Sequence, residues 1–148
     1  MSYQANKKGE IYFFTEDIEF NLDEKKKVTQ WIKDTAEEYT FIIDNINYIF
    51  VSDNYLLELN KKYLKHKTLT DIITFDNSFF NLGLSGDIYI SVERVKENAV
   101  KYKVEFHEEL CRVMIHGLLH LCGFKDKNTA DKDKMIEAEN RALLSYNL

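Results

Sequence analysis

Near the C-terminal end the chain reads His116-Gly117-Leu118-Leu119-His120-Leu121-Cys122-Gly123-Phe124-Lys125-Asp126. Residues at i and i+4 of a helix lie one turn apart on one face, so two imidazoles so spaced can reach the same ion. Gly123 can end such a helix in a left-handed turn at little steric cost, and the chain then doubles back to bring Asp126 within range as a third donor. Two His and one carboxylate leave a coordination position open, the pattern of catalytic rather than structural Zn²⁺. The run before it is apolar on most sides, with Leu110, Val113, Met114, Ile115, Leu118, Leu119 and Leu121. A helix apolar all round is buried, and buried imidazoles need polar partners. One shared ion would satisfy both; two separately hydrogen-bonded core histidines are the alternative.

A peptidase of this layout carries Glu directly after the first His as its base. Gly117 stands there, so the helix looks metzincin-like while peptide cleavage lacks its general base. Glu139 could fill that role only if the last helix folds over the site.

Length and composition set the frame. The chain has 148 residues, of which 45% are hydrophobic, with ten Phe and nine Tyr and no Pro. That is one domain, residues 1–148, with a core of its own and no linker. The N-terminal residues lack the apolar stretch of a signal peptide, no apolar run is long enough to span a bilayer, and the default expectation is the cytoplasm. Cys111 and Cys122 are expected as buried free thiols: 11 residues apart on one helix they would be roughly 16 Å apart, too far for a disulfide. The net charge of −5 argues against nucleic acid as a partner of the whole surface. Locally, Lys61, Lys62, Lys65, His66 and Lys67 form a basic stretch, which on its own is a solvated helix end.

Periodicity predicts strands at Ile11–Thr15, Ile46–Ser52, Asp71–Phe75 and Gly86–Ser91. Helices are expected from a cap at Asn21 or Asp23 to Tyr39, from a cap at Asp53 through Leu64, and over Glu93–Tyr102, Glu105–Leu121 and Thr129–Leu144. The fold class is α+β: a small mixed β-sheet with helices packed on it. His107, amid Glu105, Glu108 and Glu109, is expected at the surface, His66 exposed, and Asp87 as a local cap or hydrogen-bond partner.

The motif H-G-x-L-H-L-x-G with a ligand three residues later resembles the signature of the YbeY family. So do Leu59-Asn60-Lys61-Lys62-Tyr63 followed by Thr70-Asp71-Ile72-Ile73-Thr74-Phe75, the Gly86-Asp87-Ile88-Tyr89-Ile90-Ser91 strand, and Met135 and Glu139 in the last helix. The likeness runs from about residue 46 to 140. It implies a metal-dependent, single-strand-specific endoribonuclease acting in 16S rRNA maturation and ribosome quality control, with one Zn²⁺ on His116, His120 and Asp126. The rRNA precursor or small ribosomal subunit is the implied partner. Two positions depart from the family pattern. Asp126 holds the place of a third His, an acceptable ligand exchange. Leu64 holds the place of an arginine, and Lys61 or Lys65 could supply its charge as a point charge, with Lys65 the candidate catalytic group. On this resemblance Lys61, Lys62 and Lys67 become candidate RNA contacts. The alternatives are a non-catalytic assembly factor with a structural metal and, less favoured, a metallopeptidase.

Overall fold

The computed structural model describes residues 9–64, 70–79 and 83–147. Its elements are β1 (Glu10–Thr15), α1 (Lys25–Glu38), β2 (Ile43–Val51), α2 (Asp53–Leu59), a π-helical turn (Asn60–Leu64), β3 (Ile72–Asp76), β4 (Leu84–Ser91), α3 (Val92–Tyr102), α4 (Phe106–Leu121) and α5 (Thr129–Tyr146). The four strands form one sheet in the order β1-β2-β4-β3. β1 pairs with β2 and β2 with β4 in parallel, whereas β3 runs antiparallel to β4. The domain is therefore α+β with a mixed sheet, as the pattern of apolar residues predicts.

Strand alternation divides the core. Ile46, Tyr48 and Phe50 of β2 and Ile88 and Ile90 of β4 turn to one face, where Leu110, Met114, Ile115 and Leu118 of α4 join them in the main core. Ile49, Val51 and Ile73 turn to the other face, under Leu56 of α2. Tyr48 is fully buried, and its hydroxyl donates to the Met114 carbonyl at 2.9 Å, fastening β2 to the middle of α4. Burial pushes that phenol well above its ordinary range, so it stays a neutral donor. Trp31 of α1 donates through Nε1 to the Ala142 carbonyl of α5 at 2.8 Å and packs edge-on to Tyr146, closing the helical layer.

Where local signals compete, the long-range partner decides. α2 is capped by Ser52, whose Oγ accepts from Tyr55 N at 3.1 Å. The expected cap Asp53 is the first helical residue, and its carboxylate is taken by Arg94 at 2.9 Å and by the Ser91 hydroxyl at 2.6 Å. α1 begins after Glu24, not Asn21 or Asp23, and Glu24 makes no side-chain cap. Its carboxylate instead accepts from the Tyr146 hydroxyl at 2.8 Å. His107 belongs to the same cluster: half-buried, it lies 2.9 Å from Tyr146 Oη and 3.3 Å from Glu24, so it is not a surface residue. Cys111 and Cys122 are free, the first buried and the second half-buried. No helix among the described residues is long and apolar enough to cross a membrane.

Gly117 shows why α4 can lie so close to the sheet. A Cβ there would stand 2.9 Å from Ile88 Cγ2 and 3.1 Å from Ile72 Cδ1. Position 117 faces β3 and β4, so a carboxylate at that position would be driven into the sheet. Gly117→Ala is expected to destabilise the protein by about 1–3 kcal/mol through overpacking. Chemical denaturation measures it, and wild-type stability in the variant would contradict this packing.

Candidate active site

The C-terminus of α4 is closed by its backbone. Gly123, with φ of 105°, donates to the His120 carbonyl at 3.0 Å, and Phe124 N donates to the Leu119 carbonyl at 3.0 Å. These are the paired bonds of a Schellman cap, which needs a left-handed residue where Gly123 stands. The reversal has a chemical consequence. It brings the Phe124 carbonyl to 2.9 Å from His120 Nδ1. A carbonyl oxygen only accepts, so Nδ1 carries the hydrogen and the lone pair of the neutral ring is on Nε2.

His116 is held the same way by a different group. Its Nδ1 lies 2.7 Å from Glu139 Oε2, contributed by α5, which does fold over the site. The other oxygen, Oε1, accepts from Arg112 at 3.0 Å, and Arg112 also donates to Asn140 Oδ1 at 2.9 Å. Glu139 is only 6% exposed. With both oxygens engaged it orients His116 rather than acting as a base. On the opposite edge of the ring, His116 Nε2 lies 3.4 Å from Asp126 Oδ2. Burial alone would lower the His116 pKa, but the hydrogen bond and charge of Glu139, with Asp126 and Asp71 behind it, outweigh burial and raise it.

The predicted ligands thus gather in one place without yet converging. The His116 and His120 rings lie nearly parallel, 22° apart, with centroids 6.2 Å apart. His116 and Asp126 are in contact, whereas His120 is exposed beside them. Among the described residues, no three His, Cys, Asp or Glu side chains already surround a common point.

Lys61 and Lys62 sit on the exposed π-turn. Lys61 pairs with Glu58 at 3.4 Å, and Lys62 Nζ is 5.3 Å from the Tyr63 ring centroid; neither contact reaches the histidines. Lys65, His66 and Lys67 lie outside the described residues. Leu64 is 45% exposed. Asp87 is a local partner as expected, accepting from Asn47 Nδ2 at 3.0 Å.

A cleft of about 420 Å³ opens beside His116 and Glu139. Its polar lining includes Asp71, Asn98, Glu109 and Arg112, residues that spacing gave no reason to single out. Glu109 is 4% exposed. Burial pushes its carboxyl up to about 7, opposed by Arg112 and reinforced by Asp71 and Glu139. For Asp71, too, burial raises the pKa against the pull of His116.

A small mixed-sheet domain whose most buried helix presents two oriented imidazoles beside a carboxylate and an open cleft has the makings of a hydrolase centre. The comparisons with known proteins narrow that class. A family model described as Endoribonuclease YbeY matches residues 10–147. The chain is 44% identical over 138 residues to the Endoribonuclease YbeY of Amoebophilus asiaticus, spanning 93% of this chain and 94% of that one. It is 47% identical over 137 residues to that of Flavobacterium psychrophilum, spanning 91% and 96%. Among solved structures, the solution structure of a Thermotoga maritima protein superposes with a TM-score of 0.63 at 26% identity, covering 93% of this chain and 89% of that one. This chain belongs to the YbeY endoribonuclease family.

Two outcomes check the geometry. Glu139→Ala is expected to weaken binding of a divalent transition metal by roughly 10–100-fold, the usual cost of losing the group that orients a ligating imidazole. Unchanged affinity in a Zn²⁺ competition titration would show that Glu139 does not orient His116 for a metal. Glu109 gives a pH test. Its folded pKa of about 7 lies above the ordinary 4.5, so the folded state holds the proton longer and stability is lost as pH rises between those values. Glu109→Gln removes that loss: it should gain on the order of 1–3 kcal/mol at pH 8 and nothing at pH 4. An equal effect at both pH values in urea melts would contradict the buried, proton-holding Glu109.

Proposed function

We propose that this chain is a metal-dependent endoribonuclease of single-stranded RNA, with one Zn²⁺ held by His116, His120 and Asp126, acting in the cytoplasm on the precursor of small-subunit rRNA. The observation that carries the reading is the pair of Nδ1 bonds. Both imidazoles spend Nδ1 on a protein acceptor, Glu139 and the Phe124 carbonyl, which leaves Nε2 of each as the donor. That is the orientation metal-ligating histidines adopt. Asp126 beside His116 Nε2 completes a donor set of two nitrogens and one carboxylate, which suits Zn²⁺ and leaves a position for substrate. When bound, such an ion supplies Lewis acidity toward a phosphoryl oxygen and lowers the pKa of water toward about 7. The protein's part is to fix His116 through Glu139, to hold Glu139 in place through Arg112, and to hold the RNA backbone. The exposed Lys61 and Lys62, with Lys65 and Lys67 next to them in sequence, are suited to that last task, a contact that reads charge and not sequence.

The relatives named as endoribonucleases support the reaction class. Peptide cleavage is disfavoured because position 117 faces Ile88 and Ile72, where no side chain could act as the peptidase base. The exposed Leu64 in place of the family's arginine favours a second reading, an assembly factor in which the metal serves stability alone.

A single-turnover assay separates these. Fluorescent single-stranded RNA should be cut by Zn²⁺-loaded protein, spared when a chelator is present, and cut again after Zn²⁺ is restored, while His116→Ala and a duplex RNA give no product. Cleavage that persists in chelator would overturn the metal-dependent reading. Metal binding with no cleavage of any RNA would leave the assembly factor.

A further inference from the structure

The cleft beside His116 carries a buried acid that the site's own hydrogen bonds leave unused. Asp71 accepts from Asn98 Nδ2 at 3.5 Å, and Glu139 is bound by both Arg112 and His116. Glu109 is the exception: 96% withdrawn from solvent, it lines the cleft, and its carboxylate makes no hydrogen bond or ion pair within the described residues. A carboxylate withdrawn from water without a donor is costly, and burial, reinforced by Asp71 and Glu139 against Arg112, pushes its pKa up to about 7. An occupant that offers N–H groups would supply what the fold withholds.

The walls say what shape that occupant has. Ile72, Val104, Val113 and Ile136 are apolar, and Tyr102, 56% exposed, stands among them with Lys101 Nζ 5.6 Å from its ring centroid. A hydrated divalent cation has no use for such walls, and no three acidic side chains here are placed to hold one. Phosphate meets the carboxyls of Asp71, Glu109 and Glu139 against one cation, Arg112, which Glu139 and Asn140 already engage. A flat, weakly polar ring bearing hydrogen-bond donors on one edge fits all three observations, and a space of about 420 Å³ holds it with room to spare.

Resting on the RNA-cleaving function proposed above, we infer that this cleft receives an unstacked nucleobase next to the scissile phosphate, and that Glu109 reads it, with guanine preferred. Single-stranded RNA is recognised by splaying bases out, stacking them on aromatic rings and bonding their edges. Guanine sets N1–H and N2–H₂ side by side, matching one carboxylate in two parallel bonds. Adenine and cytosine offer one amino group each, and uracil flanks its single N–H with carbonyls that a carboxylate repels. The chain's acidic charge, unfavourable for backbone contact, is here the source of selectivity.

The test uses the full chain and four fluorescein-labelled octauridylates carrying one central G, A, C or U, titrated by anisotropy in excess chelator so that no RNA is consumed. Wild type should bind the G-containing RNA roughly tenfold or more tighter than octauridylate. Glu109→Gln should bring the two within about twofold of each other, because its amide presents a donor to a donor edge. Tyr102→Ala, at an exposed wall, should weaken the G-containing RNA by roughly tenfold through lost stacking, which keeps the test open should Glu109→Gln fold poorly. Equal affinity of wild type for all four RNAs, or a G preference that survives Glu109→Gln, would overturn the assignment. Cleavage of octauridylate by Zn²⁺-loaded protein is scored separately. Cleavage with no base preference removes the guanine cleft and leaves the nuclease, whereas G-selective binding without cleavage leaves the cleft and removes the nuclease.

Discussion

The hydrogen bond from His116 Nδ1 to Glu139, at 2.7 Å, is where the fold and the chemistry meet. It joins α4, the most buried helix, to α5, the last element of the chain. It also decides which nitrogen of His116 faces Asp126. Arg112 and His116 answer both oxygens of the buried Glu139 carboxylate, which offsets the cost of burying it. The Trp31 bond to Ala142 and the Tyr146–Glu24–His107 cluster hold α5 in place from its far end. A distant tie such as Trp31 to Ala142 therefore bears on imidazole orientation without approaching the site.

The two histidines are fixed by unrelated means, and the difference suits their surroundings. His116 is half-buried and takes a charged acceptor from another helix. His120 is exposed and takes a backbone carbonyl from the turn that ends its own helix. Gly123 thus has two tasks, stopping α4 and aiming its last histidine. Gly117 has a third, letting α4 settle against Ile88 and Ile72. The residue that removes peptidase chemistry from the motif is the one the packing demands.

What spacing could reveal was local. The nearness of His116, His120 and Asp126 was legible because helical period and a Gly stop fix their separation within one turn and one reversal. The strands were legible because alternation survives in Ile46–Phe50 and Ile88–Ile90. Features that depend on a partner far along the chain were hidden. Asp53 has every property of a cap, yet Arg94 claims its carboxylate, and Ser52 caps instead. His107 reads as a surface residue until Tyr146, close to the C-terminal end of the chain, comes between it and Glu24. Glu109 and Arg112 differ from the acidic and basic residues around them only in the cleft they face, which no periodicity encodes. A short α2 passing into a π-turn at Asn60 replaced the single helix expected through Leu64, moving Lys61 and Lys62 onto an exposed turn of different pitch.

On the proposed function, both imidazoles keep Nε2 for a shared ion. Nitrogen-15 NMR of the histidine rings tests it most directly, at a pH where the spectra themselves show neutral rings, before and after one equivalent of Zn²⁺. The account predicts Nδ1–H tautomers for His116 and His120 in the metal-free protein, followed by shifts of both Nε2 resonances that saturate together at one equivalent. A hydrogen on Nε2 of either ring, or Zn²⁺ shifting only one of them, would contradict it.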